Sequence, residues 1–184
     1  MENARFDRAI AAIDAANADD PNDKELRHAQ LATDWVRRLR PDASEALLLA
    51  VRGHHIRRWT IPRERYPEGR RGYLRWRRDL QRQHAADLEQ ILGAEGYDAA
   101  TVSRVQEIVQ KRQLATDPEV QAFEDALCLV FAEDQLAEFA TRVDKDKLDD
   151  IIEKTKEKMS PEGRRLLAEV TDPGSPPDGP SRSS

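Results

Sequence analysis

The chain has 184 residues, enough for one domain with its own core. Its formal charge is −5 at pH 7, which argues against a general nucleic-acid binder. A lone cysteine, Cys128, excludes a disulfide framework and fits a reducing, cytoplasmic setting. The first residues hold no apolar stretch long enough for a signal or a membrane span.

Helical periodicity runs nearly throughout, with no strand alternation. Phe6, Ile10 and Ile13 mark a first helix. Leu31, Trp35 and Leu39 mark a second, which Pro41 ends. Asp42 and Glu45 have capping-box spacing ahead of ALLLAV, a run apolar all round and so expected to be buried. TIPRERYPEGRRG then breaks helix with Pro62, Pro67, Gly69 and Gly72, and reads as a long loop suited to binding. A fourth helix is predicted from about Tyr73 to Leu92, with Leu80, His84 and Leu88 on one face. Asp98 caps a fifth helix bearing Val102, Val105 and Val109. Asp117-Pro118 starts a sixth with Val120, Leu127 and Phe131. Leu148, Ile151, Ile152 and Thr155 mark a seventh, and Ser160-Pro161 starts a short last helix. The tail 171–184 has little to bury and is expected to be disordered. The prediction is an all-α fold: one compact bundle of seven or eight helices over 1–170.

Charge is unevenly spread. Arg52 to Arg82 holds eleven arginines, no lysine and three acids (Glu64, Glu68, Asp79), a local +8 that leaves −13 on the remainder. Arginine grips phosphate or carboxylate through a planar fork. A basic segment on an acidic body favours a local anion site over a polyanion groove. Arg57, Arg58, Arg63 and Arg65 flank Trp59 and Tyr66, the pattern of a phosphate clamp beside an aromatic shelf. Arg58 and Arg63, at a helix end and a loop start, are expected at a cavity mouth. The structural alternative has several of these arginines pairing with the surplus acids or stacking on tryptophan. Single-stranded RNA is the other partner for arginine with aromatics. Trp35 and Trp59 sit on or near apolar stripes, which ranks RNA lower.

His28, His55 and His84 each share a stripe with apolar neighbours, respectively Leu31 and Trp35, Leu48 and Val51, and Leu80 and Leu88. Glu124 shares the stripe of Val120 and Leu127, and Asp125 opens ALCLVF. Convergence inside a bundle would make a metal site of His55, His84 and Asp125, completed by His28 or His54. Mn, Fe, Ni, Co or Zn would accept that donor set. Glu124 is the candidate proton acceptor, and Arg58 and Arg63 would neutralise charge on a phosphate. Taken singly, each inward histidine also reads as a hydrogen-bonded core residue, and both acids as caps or arginine partners.

The order His28, His54-His55, His84, Asp125 resembles the HD superfamily of metal-dependent phosphohydrolases, which are all-helical. That resemblance implies an HD-like core, a divalent metal and a phosphorylated substrate such as a nucleotide. The chain departs from the pattern at His-His-Ile, where neither histidine is followed by the superfamily's aspartate. A closer resemblance spans almost the whole ordered chain. FDRAIAAIDAANADDP, HIRRWTIPRERYP, GYLRWR and DPEVQAFEDALCLVF resemble the uncharacterised family catalogued as domain of unknown function 4202. His55, His84 and Asp125 belong to that family's typical strings, while the place of His28 is commonly tyrosine. The family itself implies no chemistry. Two other functions stay open: an HD-like iron oxygenase, and a non-catalytic module binding an anion or RNA.

Overall fold

Local capping chemistry sets most of the helix starts. In the computed structural model, which describes residues 2–171, the elements are α1 (Glu2–Ala18), α2 (Glu25–Leu39), α3 (Glu45–Arg52), α4 (Gly69–Ala94), α5 (Ala99–Val109), α6 (Pro118–Val130), α7 (Leu136–Ala140), α8 (Lys145–Lys158) and α9 (Pro161–Thr171). There are nine helices and no strand among the described residues, so the all-α expectation holds. The count exceeds eight because a π turn over Phe131–Gln135 separates α6 from the five-residue α7. Asp98 caps α5 through Thr101 N, and Asp117 caps α6 through Glu119 N and Val120 N, as their positions predicted. The expected tail lies outside the described residues apart from Thr171, which ends α9.

Three boundaries differ from the sequence reading. Ser44, not Asp42, caps α3 by accepting from Leu47 N at 3.1 Å, while Asp42 pairs with Arg40. Next, α3 stops at Arg52, so His54 and His55 lie in a turn rather than on a helix face. Gly53 permits this turn: a Cβ there would stand 2.4 Å from the Leu88 side chain. Asn17 Nδ2 donates to the freed Arg52 carbonyl at 3.1 Å. Finally, α4 begins ahead of Tyr73, because Gly72 lets its first turn press on the Pro67 backbone, 1.8 Å from where a Cβ would be. The intervening loop is ordered by two short 3₁₀ turns, Arg58–Thr60 and Arg63–Arg65.

The core collects one face of α1 to α6 and of α9, while α7 and α8 hold no fully buried residue. Leu47, Leu49 and Val51 meet Leu88, Leu92, Val105, Ile108, Phe123 and Leu129. Burying each large side chain contributes about 1.5–3 kcal/mol. α2 packs on α6 and α3, α5 lies between α3 and α4, and α9 closes on α6. No helix is long and apolar enough to cross a membrane among the described residues. This packing points the turn after α3, the inner face of α4 and the end of α5 at the middle of α6.

Candidate functional site

The turn after α3 carries the chemistry. Arg57 adopts a left-handed conformation (φ 50°), which costs a non-glycine residue about 1 kcal/mol and reverses the chain. His54 Nδ1 bonds the Val51 carbonyl and His84 Nδ1 the Ile56 carbonyl, each at 2.8 Å. A carbonyl only accepts, so both rings carry their proton on Nδ1 and leave Nε2 as an acceptor. His55 Nδ1 lies 3.1 Å from Glu25 Oε2, and Arg58 donates to His55 Nε2 at 3.0 Å. Arg58 also stacks over Trp76, 5.1 Å from the ring centre.

Electrostatics keep these rings neutral. Burial, reinforced by its neighbour His55, holds His54 well below the ordinary histidine range. Burial and the Arg58 charge do the same to His55. Burial brings His84 down to about 4, partly opposed by its bond to Ile56. Burial also lowers the Arg58 guanidinium from its usual value.

A cavity of about 310 Å³ opens beside the turn, walled by His54, His55, Arg58, Arg77, Lys111 and Lys158 together with Tyr73, Glu124 and Cys128. A recess of about 20 Å³ shares several of those walls and adds His84 and Gln81. That is room for one water molecule. Glu124 pairs with Lys111, which ends α5 in a left-handed conformation (φ 55°). The Cys128 thiol is pushed up to about 12 by burial and by Glu124, so it is no nucleophile at neutral pH. Arg77 lines the cavity and makes no ion pair or hydrogen bond among the described residues.

The expected residues divide. His54, His55, His84, Arg58 and Glu124 come together here. Arg57, Arg63 and Arg65 do not line the cavity: Arg57 pairs with buried Asp87, Arg63 donates to the Tyr66 and Pro67 carbonyls, and Arg65 donates to Thr60. They brace the loop. Asp125 is also elsewhere. It accepts from Ser160 N at 3.0 Å, Ser160 Oγ at 2.5 Å and Gln121 Nε2 at 2.9 Å, tying α9 to α6. His55, His84 and Asp125 therefore share no ion-sized space. Lys111 and Lys158, absent from the sequence-derived site, are cavity cations.

Only one trio of metal-binding side chains meets closely among the described residues: Glu25, His28 and His55, whose donor atoms lie within 4.8 Å of one another. His28 is 6% exposed, and its Nδ1 is buried without a hydrogen-bond partner among the described residues. Its Nε2 lies 2.7 Å from Asp134 Oδ2. Glu25 went unrecognised in the sequence, although Glu-x-x-His at i, i+3 is a known donor spacing on a helix.

A family model described as Domain of unknown function (DUF4202) matches residues 7–176, nearly the whole chain. No curated protein matches the chain, and no solved structure does.

Proposed function

The chain belongs to the DUF4202 family, and we propose that its cavity binds a nucleotide or other small phosphorylated metabolite and hydrolyses it in a metal-dependent reaction. One observation carries the reading. Four cations, Arg58, Arg77, Lys111 and Lys158, surround the same space as the neutral rings of His54 and His55. Guanidinium forks bind phosphoryl oxygens and neutralise the charge that develops on them. The cavity volume of about 310 Å³ suits a ligand of metabolite size. Tyr73, 46% exposed at its wall, offers a ring face to a base or sugar.

A water in the recess would find acceptors in the Nε2 atoms of His54 and His84, whose Nδ1 atoms are committed to carbonyls. Glu124, on the wall of the adjoining cavity, would take the proton of an attacking water as its oxygen bonds phosphorus, and would pass it to the leaving oxygen as the ester bond breaks. A divalent transition metal, when bound, supplies a water of lowered pKa and polarises a phosphoryl oxygen. Glu25, His28 and His55 are the donor group whose chemistry fits it. The chain order of the histidines, similar to the HD superfamily, supports the hydrolytic reading. The lone cysteine supports a cytoplasmic setting.

The test is release of inorganic phosphate from a panel of nucleotides and sugar phosphates, with Mn²⁺, Fe²⁺, Ni²⁺, Co²⁺ or Zn²⁺ and with chelator. Metal-dependent release that falls in Arg77→Gln and His54→Gln is the expected result. No release from any member with any of these metals removes the proposal.

A further inference from the structure

We infer that Glu25, His28 and His55 bind one first-row divalent transition metal, with Asp134 as the positioning residue that aims His28 at it. As an account of the cofactor this rests on the phosphohydrolase reading; as a metal site it stands on geometry alone.

Glu25 and His28 share one face of the first turn of α2, three residues apart. Asp20 anchors that turn, accepting from Lys24 N at 2.9 Å and Glu25 N at 3.2 Å. The turn after α3 brings His55 from the other side. Glu25 Oε2 stands 3.1 Å from His55 Nδ1 and 3.8 Å from His28 Nδ1. Ligand atoms around a tetrahedral ion, at about 2.1 Å from it, are about 3.4 Å apart. These two spacings bracket that value, and the His28 and His55 donor atoms lie within 4.8 Å of each other.

His28 supplies the second, independent observation. Asp134 accepts from its Nε2, which places the ring proton there and leaves a lone pair on Nδ1. That nitrogen is buried, has no hydrogen-bond partner among the described residues, and stands 3.8 Å from a Glu25 carboxylate oxygen. Two electron-rich atoms held together away from water call for a positive charge between them, a metal ion or a proton. A carboxylate on the far nitrogen of a ligating imidazole is also how proteins fix such a ring and raise its basicity.

The π turn after α6 explains how Asp134 gets there. Its extra residue re-aims two consecutive acids at α2: Asp134 to His28, and Glu133 to Trp35 Nε1 at 2.8 Å. Arg27 pairs with Asp134 as well and holds it in place. Two imidazoles and one carboxylate select Zn²⁺, Fe²⁺ or Co²⁺ over Mg²⁺ and Ca²⁺, which prefer oxygen.

His55 meets this site and the cavity with opposite edges of one ring. Without an ion, Nε2 accepts from Arg58, so Nδ1 carries the proton toward Glu25. An ion at Nδ1 displaces that proton. A ring protonated on Nε2 no longer accepts from Arg58, so Arg58 competes with the ion.

The test is equilibrium dialysis of the full chain, stripped with chelator, against Zn²⁺ and Co²⁺, with metal counted by elemental analysis and folding checked by circular dichroism. One ion per chain is expected, with Mg²⁺ unable to displace it. Glu25→Gln and His28→Gln should each weaken binding ~100-fold or more, and Asp134→Asn ~10–100-fold. Arg58→Met should bind tighter. Wild-type protein that takes up no Zn²⁺ or Co²⁺ overturns the inference. So does uptake that survives both ligand variants, or that is lost in His84→Gln instead. Titrating the same samples with pyrophosphate separates the two claims: anion binding without metal uptake sinks this site and leaves the cavity reading standing.

Discussion

Arg77→Gln is the sharpest perturbation of the cavity. Arg77 lines it with no partner among the described residues, which leaves its fork to a ligand. Losing a charged hydrogen-bonding group costs about 1.5–3 kcal/mol of ligand binding, or roughly 10- to 150-fold in affinity. Folding should respond differently. The Arg77 charge opposes the protonated forms of Arg58 and His55, and the substitution breaks no ion pair among the described residues. Stability should therefore hold within about 0.5 kcal/mol of wild type, or rise slightly. Calorimetric titration with pyrophosphate measures the first quantity, and urea unfolding the second. Unchanged affinity would refute the reasoning, as would a loss of stability above about 1 kcal/mol, which would make Arg77 a structural residue.

Asp125→Ala should cost about 2–4 kcal/mol in urea unfolding, because three donors from Ser160 and Gln121 lose their acceptor. It should leave pyrophosphate affinity unchanged. His84 is neutral when folded, with a value of about 4 against an ordinary 6.5, and it sits among Arg58, Asp87 and Glu25. Its contribution is complete above pH 6.5 and is lost as pH falls, because the unfolded chain takes up the proton first. His84 alone should lower stability by about 2 kcal/mol from pH 7 to pH 5, with buried His54 and His55 adding in the same direction, and the same measurement on His84→Gln should show a shallower slope. Single-stranded RNA should not bind in a salt titration. Steep salt-dependent binding would instead assign the exposed α4 face of Arg70, Arg71, Arg75, Arg78 and Arg82 to phosphate contacts.

What was legible in the sequence was local. Asp98, Asp117-Pro118 and Ser160-Pro161 announce helix starts through chemistry that acts within one turn. Inward periodicity likewise brought His28, His84 and Glu124 to the interior. The failures were non-local. Arg57, Arg63 and Arg65 resemble Arg58 in sequence, yet their forks are consumed by Asp87 and by loop carbonyls. Asp125 reads as an inward acid, and its partner Ser160 is 35 residues away. Extending the helix of ALLLAV through His55 overlooked Gly53, whose missing side chain makes room for Leu88. Asp134 reaches His28 only because a π turn shifts the phase of its helix, which no apolar pattern records.

The most direct measurement is a crystal structure grown with pyrophosphate or a nucleoside diphosphate. The account predicts phosphate density inside the cavity, within hydrogen-bonding reach of Arg58, Arg77 and Lys111. Density only on the exposed arginines of α4, with the cavity filled by side chains or solvent, would contradict it.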